Sequence, residues 1–230
     1  MDGAHAPGML PLADPPLRVA GLGAAAYAGN CHKWLCAPKG AGFLWARPDV
    51  QASVRPLATS HGANSPRTDR SRFLIESDWT GTDDPTAWLC VPDAIAFLGG
   101  LLPGGWPELM RLNRDKALRA RDLLRDALGV EAPCPDSMIG AMAALPLPDR
   151  GPDEVARLPH IDPLQDELWA RFRVEVPVMP WPAPPRRVIR VSAQAYNADE
   201  DYEPLAEALR GTLVRGGAGP LARRGGAASR

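Results

Sequence analysis

Apolar residues in the first third of the chain occur in short runs that glycine and proline interrupt. Two such runs cover residues 27–35 and 42–45, and a polar stretch follows at residues 60–71. Runs of this length are typical of strands in an α/β layer, where functional groups lie at strand ends. We therefore predict short strands and loops of such a layer over residues 1 to about 80.

The middle of the chain is predicted to be helical. Asp84 and Pro85 suit the N-cap and first position of a helix that runs towards Phe97. Pro92 lies inside that run and should kink or restart the helix, with Asp93 as a second cap.

A longer helix is predicted from Trp106 to Leu128, and Gly129 is suited to end it. Helical spacing places six residues on one mostly apolar stripe: Leu109, Leu112, Lys116, Ala120, Leu123 and Ala127.

The last third alternates between strand and helix patterns, which predicts a small α+β domain. The expected elements are a strand over 138–147, a helix over 162–171, strands over 172–178 and 187–192, and a helix over 200–214. The second of these strands rests on the alternation of Phe172, Val174, Val176 and Val178. Residues 215–230 are rich in glycine, alanine and arginine and are expected to be a disordered tail.

The charge and hydropathy of the chain exclude several classes of protein. Twenty-six basic and 27 acidic residues leave a net charge of −1, which argues against a nucleic-acid partner. No apolar run is long enough to span a bilayer, and the first residues, MDGAHAPG, do not resemble a signal peptide. We expect a cytoplasmic protein with reduced cysteines.

Lysine is rare in this chain. Only Lys33, Lys39 and Lys116 are lysines, so arginine supplies almost every positive charge. A lysine retained in such a chain is a candidate for chemistry that needs a neutral amine. Lys33 stands between His32 and Trp34 after a run of small residues, which suits a Schiff-base lysine, although a surface lysine after a strand has the same local sequence.

A second segment, residues 2–8, reads D-G-A-H-A-P-G. An acid at a strand end could keep a pyridinium nitrogen protonated, as pyridoxal chemistry requires. Taken alone, Asp2 is better explained by a turn at the N-terminus.

Together these segments resemble the class V aminotransferase-fold enzymes that depend on pyridoxal 5′-phosphate, and within them the isopenicillin N epimerase-like branch. The resemblance rests on residues 2–8, on Y-A-G-N-C-H-K-W-L-C-A-P-K-G-A-G-F-L-W at 27–45, on W-T-G-T-D-D-P-T-A-W-L-C-V-P-D-A-I-A-F at 79–97, and on R-V-S-A-Q-A-Y-N at 190–197. It implies an α/β chain that is the C-terminal portion of a fold-type I transferase. The implied parts are the remainder of a large cofactor domain (1–105), a linking helix (106–129), a small α+β domain (130–214) and the tail (215–230).

The resemblance also implies roles for individual residues. Lys33 would form the Schiff base with the cofactor, and Arg190 would hold the substrate carboxylate. The remaining cofactor contacts would come from Asp2 at the pyridine nitrogen, His5 beside the ring, His32 and Asn30 at the phosphate, and Gly81 and Thr82 at the phosphate of a partner subunit. The last pair implies a homodimer, and the substrate is expected to be a small amino acid.

Two departures from the family pattern leave the activity open. Asp83 stands where the family usually has arginine, and the chain begins one residue before Asp2, where relatives have roughly half of their length upstream. The expected activity is epimerase or aminotransferase chemistry on an amino acid in an apparently truncated chain. The alternative is an inactive fragment or interaction module that needs a separate N-terminal half.

The cysteines suggest a further alternative, a cysteine desulfurase-like enzyme with a cysteine on a mobile loop. Cys134 has a suitable distance from Lys33 in sequence, but it lies between two prolines and is interpreted as structural. His61 and His160 have no partner at ligand spacing, so no metal site is expected.

Overall fold

A computed structural model describes residues 1–11, 19–151 and 162–214 of the chain. The chain divides into two compact units, Met1–Met110 and Arg111–Arg230, and each is described by itself. The predicted tail at 215–230 and His160 lie outside the described residues.

The first unit contains the two predicted strands, β1 (Ala26–Asn30) and β2 (Gly42–Ala46). They pair antiparallel, with Tyr27 opposite Trp45. The first residues of the chain lie parallel to β1, since the amide of Gly3 donates to the Ala28 carbonyl at 2.9 Å. The start of D-G-A-H-A-P-G is thereby attached to the strand that leads to Lys33.

Three short helices follow: α1 (Arg72–Ser77), α2 (Thr86–Leu89) and α3 (Val91–Gly99). The restart at Pro92 is confirmed. Asp84 makes the predicted capping contact, since its Oδ1 accepts the amide of Thr86, the first residue of α2, at 2.9 Å. The second predicted cap is wrong, because α3 begins at Val91 before the proline, with Asp93 in its first turn. Proline is tolerated there because the first amides of a helix have no intrahelical acceptor.

Helix α4 (Gly105–Leu128) begins one residue before the predicted start, and the boundary between the two units falls within it. Gly129, at φ +66°, follows its end and donates its amide to the Arg125 carbonyl at 2.8 Å. The predicted end of this helix is confirmed.

The second unit has a three-stranded antiparallel sheet in the order β3–β5–β4. The strands are β3 (Met142–Leu147), β4 (Val178–Pro180) and β5 (Arg187–Ser192), and the helices are α5 (Pro163–Phe172) and α6 (Glu203–Leu209). One core joins the buried faces of α4, α5, α6 and the sheet, with Leu124, Leu168, Ile189 and Leu209 fully buried. The hydroxyl of Tyr202 donates to the Ser192 carbonyl at 3.0 Å.

Three predictions for this unit need correction. The first strand begins at Met142 rather than 138, because residues 136–138 form a 3₁₀ turn. The alternation over 172–178 is not a strand, since Phe172 ends α5 and Arg173 takes the left-handed conformation that closes it (φ +58°). The last predicted helix is a 3₁₀ turn (Asp199–Tyr202), α6 and a π-helical end (Arg210–Val214).

Candidate active site

The two motif segments of the first unit pack directly on each other through glycines. A Cβ atom on Gly3 would lie 2.0 Å from the ring of Tyr27, and one on Gly8 would lie 2.7 Å from the carbonyl of Trp34. Gly8 also has φ +82°, a conformation that side chains disfavour. These contacts give a physical reason for both glycines of D-G-A-H-A-P-G.

A tight turn between β1 and β2 carries Lys33. The amides of Cys31 and His32 both donate to the Ala41 carbonyl, at 3.0 and 3.3 Å, and the amide of Cys36 donates to the Lys33 carbonyl at 3.1 Å. Four buried residues of this turn pack together in one apolar cluster: Cys31, Leu35, Ala37 and Ala41. The lysine itself is half-buried.

His5 lies between the lysine and the neighbouring indole. Its Nε2 is 3.4 Å from Lys33 Nζ, and its Nδ1 is 3.3 Å from Nε1 of Trp34. The structure thus brings together His5 and Lys33, which are 28 residues apart in sequence. Sequence reasoning used Trp34 only as an aromatic neighbour and missed its hydrogen bond, which the local sequence does not indicate.

The other predicted cofactor residues near this turn have definite partners. His32 Nδ1 donates to the Ala41 carbonyl at 3.0 Å, so its Nε2 faces away from that bond. Asn30 ends β1. Asp2 is exposed, and its Oδ1 accepts the amide of Ala4 at 2.9 Å.

Tyr27 of β1, whose ring lies against Gly3, adds a buried polar atom that the sequence analysis did not identify. Its side chain is 2% exposed, and its hydroxyl has no hydrogen-bond partner among the described residues. Burial, with a smaller contribution from the Asp2 carboxylate, raises the pKa of this phenol. The neutral hydroxyl is therefore a donor that the described residues leave unused.

Gly81 and Thr82 lie in an exposed loop before α2, and Gly81 has φ +143°. The adjacent Asp83 accepts the amide of Asp84 at 2.8 Å, so this carboxylate organises its own loop. Their predicted contact with a partner subunit stays a prediction.

Arg190 belongs to the second unit, in the central strand β5 opposite Ala144. Its side chain is partly buried, and its Nε is buried without a hydrogen-bond partner among the described residues. A buried guanidinium nitrogen with an unused hydrogen suits an anionic ligand. The predicted role of Arg190 in holding a carboxylate stays a prediction.

Cys31 and Cys134 are consistent with structural roles. Burial raises the pKa of the Cys31 thiol, and Cys134 packs against the core of the second unit. Within the described ranges no three His, Cys, Asp or Glu side chains are grouped as metal ligands. No helix of these ranges is long and apolar enough to cross a bilayer.

Comparison with known proteins identifies the relatives of this chain. No family model matches it. It is 38% identical over 221 residues to the isopenicillin N epimerase of Amycolatopsis lactamdurans, covering 91% of this chain and 51% of that enzyme. It is 31% identical over 236 residues to putative L-cysteine desulfhydrase 2 of Oryza sativa subsp. japonica, covering 94% of this chain and 46% of that protein.

Solved structures show the same fold. The cysteine desulfurase of Thermococcus onnurineus NA1 superposes with a TM-score of 0.63 at 18% identity, over 93% of this chain and 52% of that one. A C-DES variant with glycine covalently linked to its PLP cofactor gives a TM-score of 0.60 at 16% identity, over 90% of this chain and 50% of that one.

The chain therefore has the α/β fold of about half of a fold-type I pyridoxal-phosphate enzyme, as predicted. The predicted resemblance to class V enzymes is confirmed as well, and its isopenicillin N epimerase-like branch is among the sequences it matches. The chain spans about half the length of the curated relatives it matches.

Proposed function

We propose that this chain carries the lysine-bearing part of a pyridoxal-phosphate-dependent enzyme that acts on the α-carbon of a small amino acid. Lys33 is the residue that binds the cofactor covalently. The observation that carries the proposal is the contact between Lys33 Nζ and His5 Nε2 at 3.4 Å, in a chain whose relatives include epimerases and cysteine desulfhydrases.

The chemistry of the site residues fits the parts of this cofactor. Asp2 offers a carboxylate for the pyridine nitrogen, and Asn30 and His32 offer donors for the phosphate at the end of β1. His32 already uses Nδ1–H on a carbonyl, so Nε2 is the nitrogen that would donate to a phosphate oxygen. Pyridoxal phosphate, when bound, supplies an electron sink that makes the α-hydrogen of an amino acid acidic.

The protein's own groups then handle protons and charge. Lys33 Nζ is the basic atom that takes a proton from, or returns it to, the substrate's α-carbon. His5 Nε2 is close enough to hold a proton beside that amine. Arg190 binds the substrate carboxylate through its guanidinium group, whose Nε–H has no partner among the described residues.

The assembly proposed for the active enzyme is a homodimer in which Gly81 and Thr82 reach the phosphate site of the partner subunit. Both residues are exposed in the described unit, as such a contact requires. Small amino acids are its only other proposed partners.

Covalent attachment to Lys33 tests the proposal directly. The chain is incubated with pyridoxal phosphate, reduced with borohydride and mapped by peptide mass spectrometry. The pyridoxyl label is expected on Lys33 in preference to Lys39, an exposed lysine of the same turn region. Equal labelling of the two lysines, or unchanged total labelling in Lys33→Ala, would overturn the assignment.

L-Cysteine is a second candidate substrate, because the chain is 31% identical to the L-cysteine desulfhydrase of Arabidopsis thaliana. Exchange of the α-hydrogen with deuterated water reports the step shared by epimerisation and transamination. Sulfide release from L-cysteine reports the alternative reaction. Exchange without sulfide favours the first class, and sulfide release favours the second.

A further inference from the structure

The His5 ring is held between two nitrogen atoms of one turn. Trp34 Nε1 lies 3.3 Å from His5 Nδ1, and Lys33 Nζ lies 3.4 Å from His5 Nε2. The Trp34 side chain is 7% exposed, so its indole N–H is not directed to bulk water. The close approach of Gly8 to the Trp34 backbone keeps the two segments in this register.

The indole restricts which nitrogen of His5 carries the hydrogen. An indole nitrogen can only donate, so the His5 Nδ1 that faces it must accept. A neutral imidazole has one hydrogen, which is then on Nε2, the nitrogen directed to Lys33. We propose that Trp34 is a positioning residue that holds His5 in the Nε2–H tautomer facing the Lys33 amine.

This tautomer suits an amine that reacts as a nucleophile. Such an amine has a lone pair, and a lone pair can accept the Nε2–H of His5. The opposite tautomer would direct a lone pair of His5 to Lys33 and a ring N–H against the indole N–H. The catalytic meaning of the arrangement rests on the proposed function, whereas the tautomer itself is a property of the protein without cofactor.

His32 provides a contrasting case in the same turn. Its Nδ1 faces the Ala41 carbonyl, which can only accept, so the hydrogen of its neutral ring is on Nδ1. Trp34 and the Ala41 carbonyl therefore select opposite tautomers in His5 and His32. The two histidines serve as internal references for each other.

The test is the ¹⁵N spectrum of the histidine rings in the full chain without cofactor, at about pH 8.5, where imidazoles are mostly neutral. His5 is assigned with His5→Gln. The expected pattern is Nε2–H for His5, with a coupling across the hydrogen bond to Trp34 Nε1, and Nδ1–H for His32. A His5 ring with its hydrogen on Nδ1 would overturn the proposal.

Trp34→Phe removes the donor and keeps an aromatic ring. We expect the His5 pattern to become a mixture of tautomers, while His32 is unchanged. The matched control is Trp106→Phe, which removes an indole bond to the Ile95 carbonyl (3.2 Å) and should leave His5 unchanged. A His5 pattern identical in the wild type and Trp34→Phe would refute the positioning role.

Trp34→Phe could also disrupt the turn that carries Lys33, and a changed His32 spectrum would reveal such a disruption. A second replacement at position 34 is designed for that outcome. Benzothienylalanine at position 34 has the shape of tryptophan with sulfur in place of the N–H, and it should give the same mixture for His5. The rate at which pyridoxal phosphate labels Lys33 should fall about fivefold in both variants, the factor expected for one lost hydrogen bond. An unchanged tautomer in the benzothienylalanine chain contradicts the inference, whatever the rate at which Lys33 is labelled.

Discussion

Replacing Lys116 with methionine removes a charged group from the interior of the second unit. The Lys116 side chain is 5% exposed, and its ammonium donates to the backbone carbonyls of Gln194 (3.0 Å), Ala195 (3.3 Å) and Asn197. Three hydrogens thus meet three carbonyls of the loop that follows β5. Methionine fills a similar volume and supplies no donor.

The expected cost follows from the carbonyls that lose their partner. A hydrogen bond to a charged group contributes about 1.5 to 3 kcal/mol, and a buried acceptor left without its donor costs about 1 to 3 kcal/mol. The three bonds share one ammonium, so their contributions do not add. We expect Lys116→Met to lower the free energy of unfolding by about 3 to 5 kcal/mol, more than one unsatisfied carbonyl costs and less than the sum of three.

Urea unfolding followed by circular dichroism measures this loss as a shift in midpoint at constant slope. Lys116→Arg should recover less than half of the stability, because a planar guanidinium cannot place three hydrogens of one nitrogen on three carbonyls. Lys39→Met, at an exposed lysine, is the control and should change stability by less than about 0.5 kcal/mol. A loss below about 1 kcal/mol in Lys116→Met would refute the reasoning.

Three further predictions concern packing, pH and the substrate. Gly3→Ala should destabilise the chain by about 1 to 3 kcal/mol in urea, because its Cβ would overlap the Tyr27 ring, whereas Gly211→Ala has open space and serves as the control. Burial raises the pKa of Tyr202 from 10.0 to about 12, so the unfolded state loses the phenol proton at a lower pH than the folded state. The free energy of unfolding should therefore fall by up to about 2 to 3 kcal/mol as the pH rises from 10 to 12. A fall of equal size in Tyr202→Phe would contradict this. Given the proposed function, Arg190→Lys should weaken amino-acid binding by about 2 to 5 kcal/mol and cofactor binding far less. Spectral titration measures both affinities, and equal effects on the two would argue against a carboxylate contact.

Local pattern predicted the elements whose ends are marked by sequence. Strands β1 and β2, helix α4 with Gly129, and helix α5 after Asp162 were found within a few residues of the expected positions. In α5 the Asp162 side chain accepts the amide of Leu164, as an N-cap should. Capping residues can be recognised in the sequence because the capping contact lies within a few residues of the helix end.

The failures come from contacts that a local pattern does not contain. The alternation of Phe172 to Val178 reflects burial against the core, but the left-handed Arg173 ends α5 inside that stretch, and only Val178 reaches β4. Alternation records which side chains are buried, whereas a strand also requires a partner for its backbone. The bond from Trp34 to His5 was missed for a related reason, since it joins residues 29 positions apart.

The scarcity of lysine gave one useful inference with two different explanations. It marked Lys33, Lys39 and Lys116 alike as candidates for something arginine cannot do, and Lys39 is exposed. Lys116 is kept for its shape, because a compact ammonium with three hydrogens matches three converging carbonyls. Lys33 instead faces a ring nitrogen of His5 from a half-buried turn. The scarcity of lysine therefore marks a structural cation in one unit and the candidate reactive amine in the other. Only the atoms that surround each side-chain nitrogen distinguish the two.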